Sequence, residues 1–316
     1  ELVQSGHAYK VDGDVYFSVE SVPTYGEISH QKLEQLEAGA RVEENSAKRN
    51  PYDFALWKKT DKGIKWDSPW GQGRPGWHTE CVVMINNNLG EMIDIHGGGM
   101  DLRFPHHENE AAQQEALHGN ALANYWIHNA MININGDKMS KSLGNVIWAK
   151  DVVEKLGTNL TRWLMSSVHY RKELNFSDET IETARKELSR VLLPLKQADI
   201  KAGLAGITLS DAYDEESYRH FLDQLDDDMN TPNAYEVIFN TVKQLNTALR
   251  SKEIDFETVS KYRNAVEKML NVLGIVVDKV VLSDKDKELF AKWNDAKSAK
   301  DFAKADEYRN ELTARG

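Results

Sequence analysis

An α/β domain followed by a helical domain is the architecture this sequence predicts, and three features carry the prediction. Between residue 51 and about residue 135, strand-like and helix-like segments alternate, which is the pattern of a parallel sheet with helical crossovers. After Gly157 the apolar residues recur at helical spacing instead. Glycines and an Asn-Gly pair punctuate the segment ends of the first half, where the chain must reverse.

In chain order, residues 1–50 read as short strands and turns, with Val15-Tyr16-Phe17-Ser18-Val19 rich in β-formers and Thr24-Tyr25-Gly26 as a turn. A helix is expected over 79–88, stopped by Gly90, although Val82-Val83-Met84-Ile85 also suits a strand. Residues 92–96 form a short apolar strand running into Gly97-Gly98-Gly99. A helix over 106–117 should stop at Gly119, and a strand over 125–134 should end at the Asn135-Gly136 turn. In the second half Ser177 is the expected N-cap of a helix whose apolar stripe is Ile181, Ala184, Leu188, Val191, Leu192 and Leu195. Thr231-Pro232 opens another helix, with Pro at its first position and Ala234, Ile238, Val242, Leu245 and Leu249 as its buried face. The highly charged stretch 283–314 is also helical. No internal repeat or low-complexity linker separates these segments.

Composition bounds the function. No run of eighteen apolar residues occurs, so no membrane span or membrane partner is expected. Glu1-Leu2-Val3-Gln4-Ser5 has neither the basic nor the apolar region of a signal peptide. The single cysteine, Cys81, forms no disulfide within the chain and suits a reducing, cytoplasmic location. A net charge of −11 argues against a generic basic nucleic-acid binder. The charge is uneven, however: residues 133–172 hold seven Lys/Arg against three Asp/Glu, whereas 211–228 hold eight acids and one Arg. The first stretch is a plausible phosphate-binding surface and the second repels phosphate.

Three groups of residues carry chemistry. Lys138-Met139-Ser140-Lys141-Ser142 follows a strand and an Asn-Gly turn. Its two lysines, three apart, can stabilise the negative charge that develops on a departing pyrophosphate, and it is identical to the KMSKS loop of class I aminoacyl-tRNA synthetases. Cys81, His106 and Glu110 offer a thiolate, an imidazole and a carboxylate, with His106 and Glu110 four apart on one helical face; together they suit zinc. His107 competes with His106 by residue type, but its side chain is expected to point about 100° around the helix. Taken singly, these residues have ordinary structural explanations. His96 precedes the glycine triplet and Asp101 follows it; such glycines let a backbone approach a nucleotide closely. Trp77 is either packing or the aromatic wall of a small-substrate pocket.

These residues lie within longer segments that resemble bacterial cysteinyl-tRNA synthetases. The segments are Arg49-Asn50-Pro51-Tyr52-Asp53-Phe54-Ala55-Leu56-Trp57-Lys58, Gly73-Arg74-Pro75-Gly76-Trp77-His78-Thr79-Glu80-Cys81, Asp94-Ile95-His96-Gly97-Gly98-Gly99 and Phe104-Pro105-His106-His107-Glu108-Asn109-Glu110. Farther on, Asp226-Asp227-Asp228-Met229-Asn230-Thr231-Pro232 and Lys300-Asp301-Phe302-Ala303-Lys304-Ala305-Asp306 continue the resemblance to the end of the chain. It implies a Rossmann-type α/β catalytic domain followed by an α-helical bundle. In detail, 1–50 would be a remnant of the connective insertion and 51–135 the second half of the catalytic domain. Residues 136–200 would hold the KMSKS loop and a stem-contacting helical region, and 201–316 a C-terminally truncated, anticodon-side helical domain.

The activity implied is ATP-dependent ligation of cysteine to its tRNA through an adenylate, by a monomer using ATP with magnesium. Zinc would be held by Cys81, His106, Glu110 and a further Cys from an N-terminal part, and would bind the substrate's thiolate. Trp77 and His96 match positions that wall the cysteine pocket, Lys138 and Lys141 match the catalytic, ATP-contacting loop, and Gly98 and Asp101 would line the ATP site. Two departures stand out. The family's His-Ile-Gly-His motif is not among these residues, so the chain would start inside the connective insertion and be inactive without the remainder. Trp293 and Lys297 stand where the family usually has Arg. The alternatives are an ATP-dependent cysteine ligase acting on an amino-sugar, an inactive tRNA-binding fragment, and a zinc hydrolase with Glu108 as its base.

Overall fold

A computed structural model describes residues 1–31, 48–140 and 144–315, and they form two compact units, Glu1–Met131 and Ile132–Gly316. The first unit opens with a four-stranded antiparallel sheet, β1 (Ala8–Val11), β2 (Asp14–Phe17), β3 (Phe54–Lys59) and β4 (Gly73–Pro75), in that order. Alternation puts Val15 and Phe17 on the same face of β2, where they pack with Val19, Phe54, Leu56 and Ala112. Phe17 and Phe54 stack at 4.9 Å. The fully buried Asp53 satisfies its carboxylate with the Tyr9 hydroxyl (2.5 Å) and the amides of Val19 and Asn50 (both 3.0 Å). The resemblance-bearing segment around Asp53 therefore works as a polar staple within the sheet. Burial, with Asp53 alongside, pushes the Tyr9 hydroxyl up to about 12.

Helix α1 (Trp77–Asn88) follows, so the Val82–Ile85 stretch is helical rather than extended. The parallel pair β5 (Ile93–Gly99) and β6 (Ala123–Asn129) is joined through α2 (Glu108–His118), a βαβ crossover of the kind the alternation predicts. Three expectations are corrected here. The glycine triplet is not a loop after the strand: Gly97, Gly98 and Gly99 remain in the ladder opposite Ile127, His128 and Asn129. The helix expected from 106 starts at Glu108, because Phe104 is extended and Arg103–His107 forms a separate wide turn. Its end is as expected, with Gly119 left-handed at φ 72°. The strand expected over 125–134 is split, since β7 (Ile132–Ile134) leaves β6 and pairs instead with β8 (Asp137–Lys138) and β9 (Leu174–Phe176).

The second unit contains that small sheet and eight helices among the described residues: α3 (Ala149–Leu156), α4 (Thr158–Met165), α5 (Asp178–Ala205), α6 (Glu215–Asp226), α7 (Thr231–Leu249), α8 (Phe256–Val272), α9 (Asp284–Ser298) and α10 (Phe302–Ala314). Ser177 caps α5 through a reciprocal bond pair with Thr180, and Asn230 caps α7 ahead of Pro232. The predicted stripes of both helices meet around Trp163, Phe221, Met269 and Leu270. The charged stretch from 283 is two helices, broken where Lys300 turns left-handed and Asp301 caps the next. Strand pairing crosses two of the expected divisions. At 50, β2 pairs with β3; at 135, β7 and β8 form one hairpin. Among the described residues no helix is long and apolar enough to cross a membrane.

Candidate active site

The first unit gathers Cys81 from α1, His96 from β5, His106 from the wide turn and Glu110 from α2. Glu110 has no exposed surface. Its Oε2 lies 2.6 Å from His96 Nε2 and its Oε1 2.7 Å from His106 Nε2, while Cys81 Sγ lies 3.7 Å from the same His106 nitrogen. The break between turn and helix thus keeps the 106/110 pair together. Burial, with the charges of Glu110 and Glu80, pushes the Cys81 thiol up to about 11; a thiolate here needs a cation beside it.

Trp77 is exposed and stacks on His106, with ring centroids 4.2 Å apart. His96 packs against the rings of Trp126 (4.7 Å) and His107 (4.5 Å), which also touch each other. His107 is held through its Nδ1, which meets His128 Nε2 at 2.8 Å. Burial drops its pKa to about 4, which keeps the ring neutral. Gly98 belongs to this packing, because a Cβ on it would stand 2.9 Å from His107 Cε1 and 3.0 Å from Leu102 Cδ1. Asp101, also expected near ATP, is exposed in the turn after β5.

Glu108 is not available as the base of a zinc hydrolase. It is buried, and its two oxygens accept the amides of Gly26 (2.8 Å) and Ser29 (2.7 Å).

Cys81, His106 and Glu110 can converge on one metal ion, with donor atoms within 4.8 Å of one another. The fit is supported by Glu110 Oε1, a buried atom with no hydrogen-bond partner of proper geometry although His106 Nε2 is close by. A buried imidazole nitrogen and a carboxylate oxygen this close, without an aligned hydrogen bond between them, are placed as ligands of a common cation. The donor set of sulfur, nitrogen and carboxylate oxygen suits zinc. His96, His107 and Glu110 form a second such group, sharing the carboxylate.

Lys138 lies in the second unit, exposed at the end of the β7–β8 hairpin. The hairpin turns through Asn135 (φ 52°) and Gly136 (φ 88°), the paired positive φ values of a tight hairpin turn. Asn145 braces the segment that follows, accepting from the Ser140 amide (2.9 Å) and donating to the Lys138 carbonyl (3.2 Å). Lys141 lies outside the described residues.

Sequence reasoning missed Asn145 and the histidines 78 and 128. The only signal was that His78 adjoins Trp77 and His128 lies on a strand expected to flank the site.

Comparison with known proteins places the chain in a family. Residues 1–186 match the profile of the tRNA synthetases class I (C) catalytic domain, and 220–277 match a DALR domain; the fold is that of a class I tRNA synthetase. The cysteine–tRNA ligase of Geobacillus sp. (strain WCH70) is 45% identical over 99% of this chain and 69% of its own length. That of Geobacter sulfurreducens is 42% identical over 100% and 70%. The chain belongs to the cysteine–tRNA ligase family and is a ligase. Among solved structures, an arginyl-tRNA synthetase from Campylobacter jejuni superposes with a TM-score of 0.58 at 14% identity, covering 88% of this chain and 60% of that one. Methionyl-tRNA synthetase from Mycobacterium tuberculosis gives 0.52 at 16%, covering 85% and 64%. Both share the fold.

Proposed function

We propose that this protein joins cysteine to its tRNA at the expense of ATP, through a cysteinyl-adenylate, with zinc held by Cys81, His106 and Glu110. The observation that carries the reading is the convergence of thiol, imidazole and buried carboxylate, with Glu110 Oε1 lacking a hydrogen-bond partner. Zinc, when bound, supplies a soft centre that prefers a substrate sulfur to an oxygen, and so separates cysteine from serine.

The chain's own residues do the rest. Trp77, stacked on His106, and His96, held by Glu110, wall the pocket for the small amino acid. The substrate carboxylate attacks the α-phosphorus of ATP, and the Pα–O bond to pyrophosphate breaks. Lys138 and Lys141 stabilise the charge that pyrophosphate carries away, while the backbone at Gly98 and the Asp101 side chain border the nucleotide. A terminal ribose hydroxyl of the tRNA then displaces AMP.

The test is cysteine-dependent exchange of pyrophosphate into ATP by the full-length protein, with zinc measured on the same sample. Exchange with cysteine far above that with serine, at about one zinc per chain, is expected for a single three-residue site; equal exchange with serine overturns the assignment. Lys141→Ala should slow activation by one or more powers of ten, each tenfold being about 1.4 kcal/mol. An unchanged single-turnover rate removes Lys141 from the mechanism.

A further inference from the structure

His106 has two ring nitrogens with different neighbours. Nε2 faces Glu110 Oε1 at 2.7 Å and Cys81 Sγ at 3.7 Å. Nδ1 lies 2.7 Å from Nδ1 of His78, the second residue of α1. Two imidazole nitrogens at that distance share one proton, which belongs to one ring or the other. If His78 were the donor, neutral His106 would carry its own proton on Nε2 and would present it to Glu110. Glu110 Oε1 has no such donor with proper geometry. The remaining arrangement puts the proton on His106 Nδ1, with His78 accepting it, and leaves the Nε2 lone pair facing the thiol and the carboxylate.

We propose that His78 is the positioning residue of this site: by accepting the Nδ1 proton of His106 it fixes the tautomer and ring orientation in which His106 Nε2 is a metal ligand. The inference rests on the metal-site reading above. His78 suits the task because it is itself held. Its ring meets Phe54 of β3 edge-on at 5.6 Å and leans on Trp77 at 5.5 Å. Trp77 in turn stacks on the ring of His106. The antiparallel sheet therefore supports the ligand through Phe54 and His78. An outer partner of this kind commonly sets metal affinity by ~10–100-fold, and Glu110 and Cys81 cannot supply it, because both lie on the Nε2 side.

The test uses zinc and cobalt(II) as probes and needs no catalysis. Zinc affinity is measured by competition with a chelator, and the cobalt-loaded protein is examined by visible absorption, for the unaltered protein, Cys81→Ser, His78→Ala, His78→Phe and His78→Gln. His78→Ala and His78→Phe should each weaken zinc by ~10–100-fold and alter the cobalt spectrum. His78→Gln, whose amide oxygen can accept the same proton, should restore most of both. Nitrogen-15 NMR of the unaltered protein should show His106 protonated at Nδ1, an assignment that stands even if a variant fails to fold.

Zinc binding that Cys81→Ser abolishes but no His78 variant alters overturns the role of His78 and leaves the metal site standing. Gln performing no better than Phe, or His106 protonated at Nε2, overturns it as well. A folded, unaltered protein that binds no zinc overturns the metal reading and this inference together.

Discussion

Five of the chain's ten histidines gather around Glu110. His106 and His96 touch its two oxygens, His78 backs His106, and His107, held by His128, packs against His96. The packing leaves no slack at Gly98. His107 is fixed by His128, so it cannot retreat from a new methyl group 2.9 Å from its Cε1. Gly98→Ala should therefore destabilise the fold by ~1–3 kcal/mol, the usual cost of overpacking, with a lower Tm by calorimetry. It should also displace the His107 ring signals in NMR. An unchanged Tm would mean that His107 yields freely. Cys81, His106 and Glu110 were legible because donor type and i,i+4 spacing are local. His78 and His128 were not, since their meaning depends on which rings fold against them. The same limit hid the reason for Gly98, which faces a side chain nine residues ahead of it.

At the level of elements, α2 is tied to the loop that follows β2. Glu108 accepts two loop amides, the Tyr25 hydroxyl donates to Asn109 (2.7 Å), and the Thr24 hydroxyl meets Glu115. Glu108→Gln leaves one buried amide without its acceptor, at a cost of ~1–3 kcal/mol. Hydrogen exchange should quicken at Gly26 and Ser29 before it does in β5; unaltered exchange at both would show that the latch is dispensable. A second junction links the segment after α4 to the turn between α6 and α7. There Asp228, itself left-handed at φ 55°, takes Arg171 (2.7 and 3.1 Å) and the Tyr170 hydroxyl (2.6 Å). Arg171, then Tyr170, hold the Asp228 carboxyl down from 3.8 to about 2. A depressed carboxyl contributes its stabilisation above its unfolded value and loses it as pH falls through the folded one. The Arg171 Nε–H signal should therefore shift as pH falls from 3.8 to about 2, and Asp228→Asn should show the acid spectrum already at neutral pH. A signal that stays constant over that window would remove Asp228 as the anchor. Helix starts such as Ser177 and Thr231-Pro232 were readable because a cap is a local event, although the cap of α7 is Asn230, one residue earlier than Pro at the first helical position implies. The β2–β3 pairing was not, because it joins residues some forty positions apart.

For the whole molecule, the conflict is between a net charge of −11 and a polyanionic substrate. The alternation of strand and helix was enough to read an α/β half and a helical half, but it says nothing of which cations face outward. The structure narrows the basic stretch 133–172. Arg162 is engaged with the Leu273 carbonyl (2.6 Å) and Arg171 with Asp228, whereas Lys138, Lys150, Lys155 and Lys172 are exposed. Lys150 and Lys155 both lie on α3, whose inward residue is Val152, so neither is needed for packing. If they bind tRNA phosphates, association must release counterions, and affinity must fall with salt even though the protein is acidic overall. Replacing both by Ala should weaken tRNA binding at low salt. It should also flatten the plot of log affinity against log salt by about 0.7–0.9 for each phosphate no longer neutralised, with Tm unchanged. A slope identical to that of the unaltered protein would place the phosphate surface elsewhere, and an unaltered protein whose affinity ignores salt would remove the basic stretch from tRNA binding altogether.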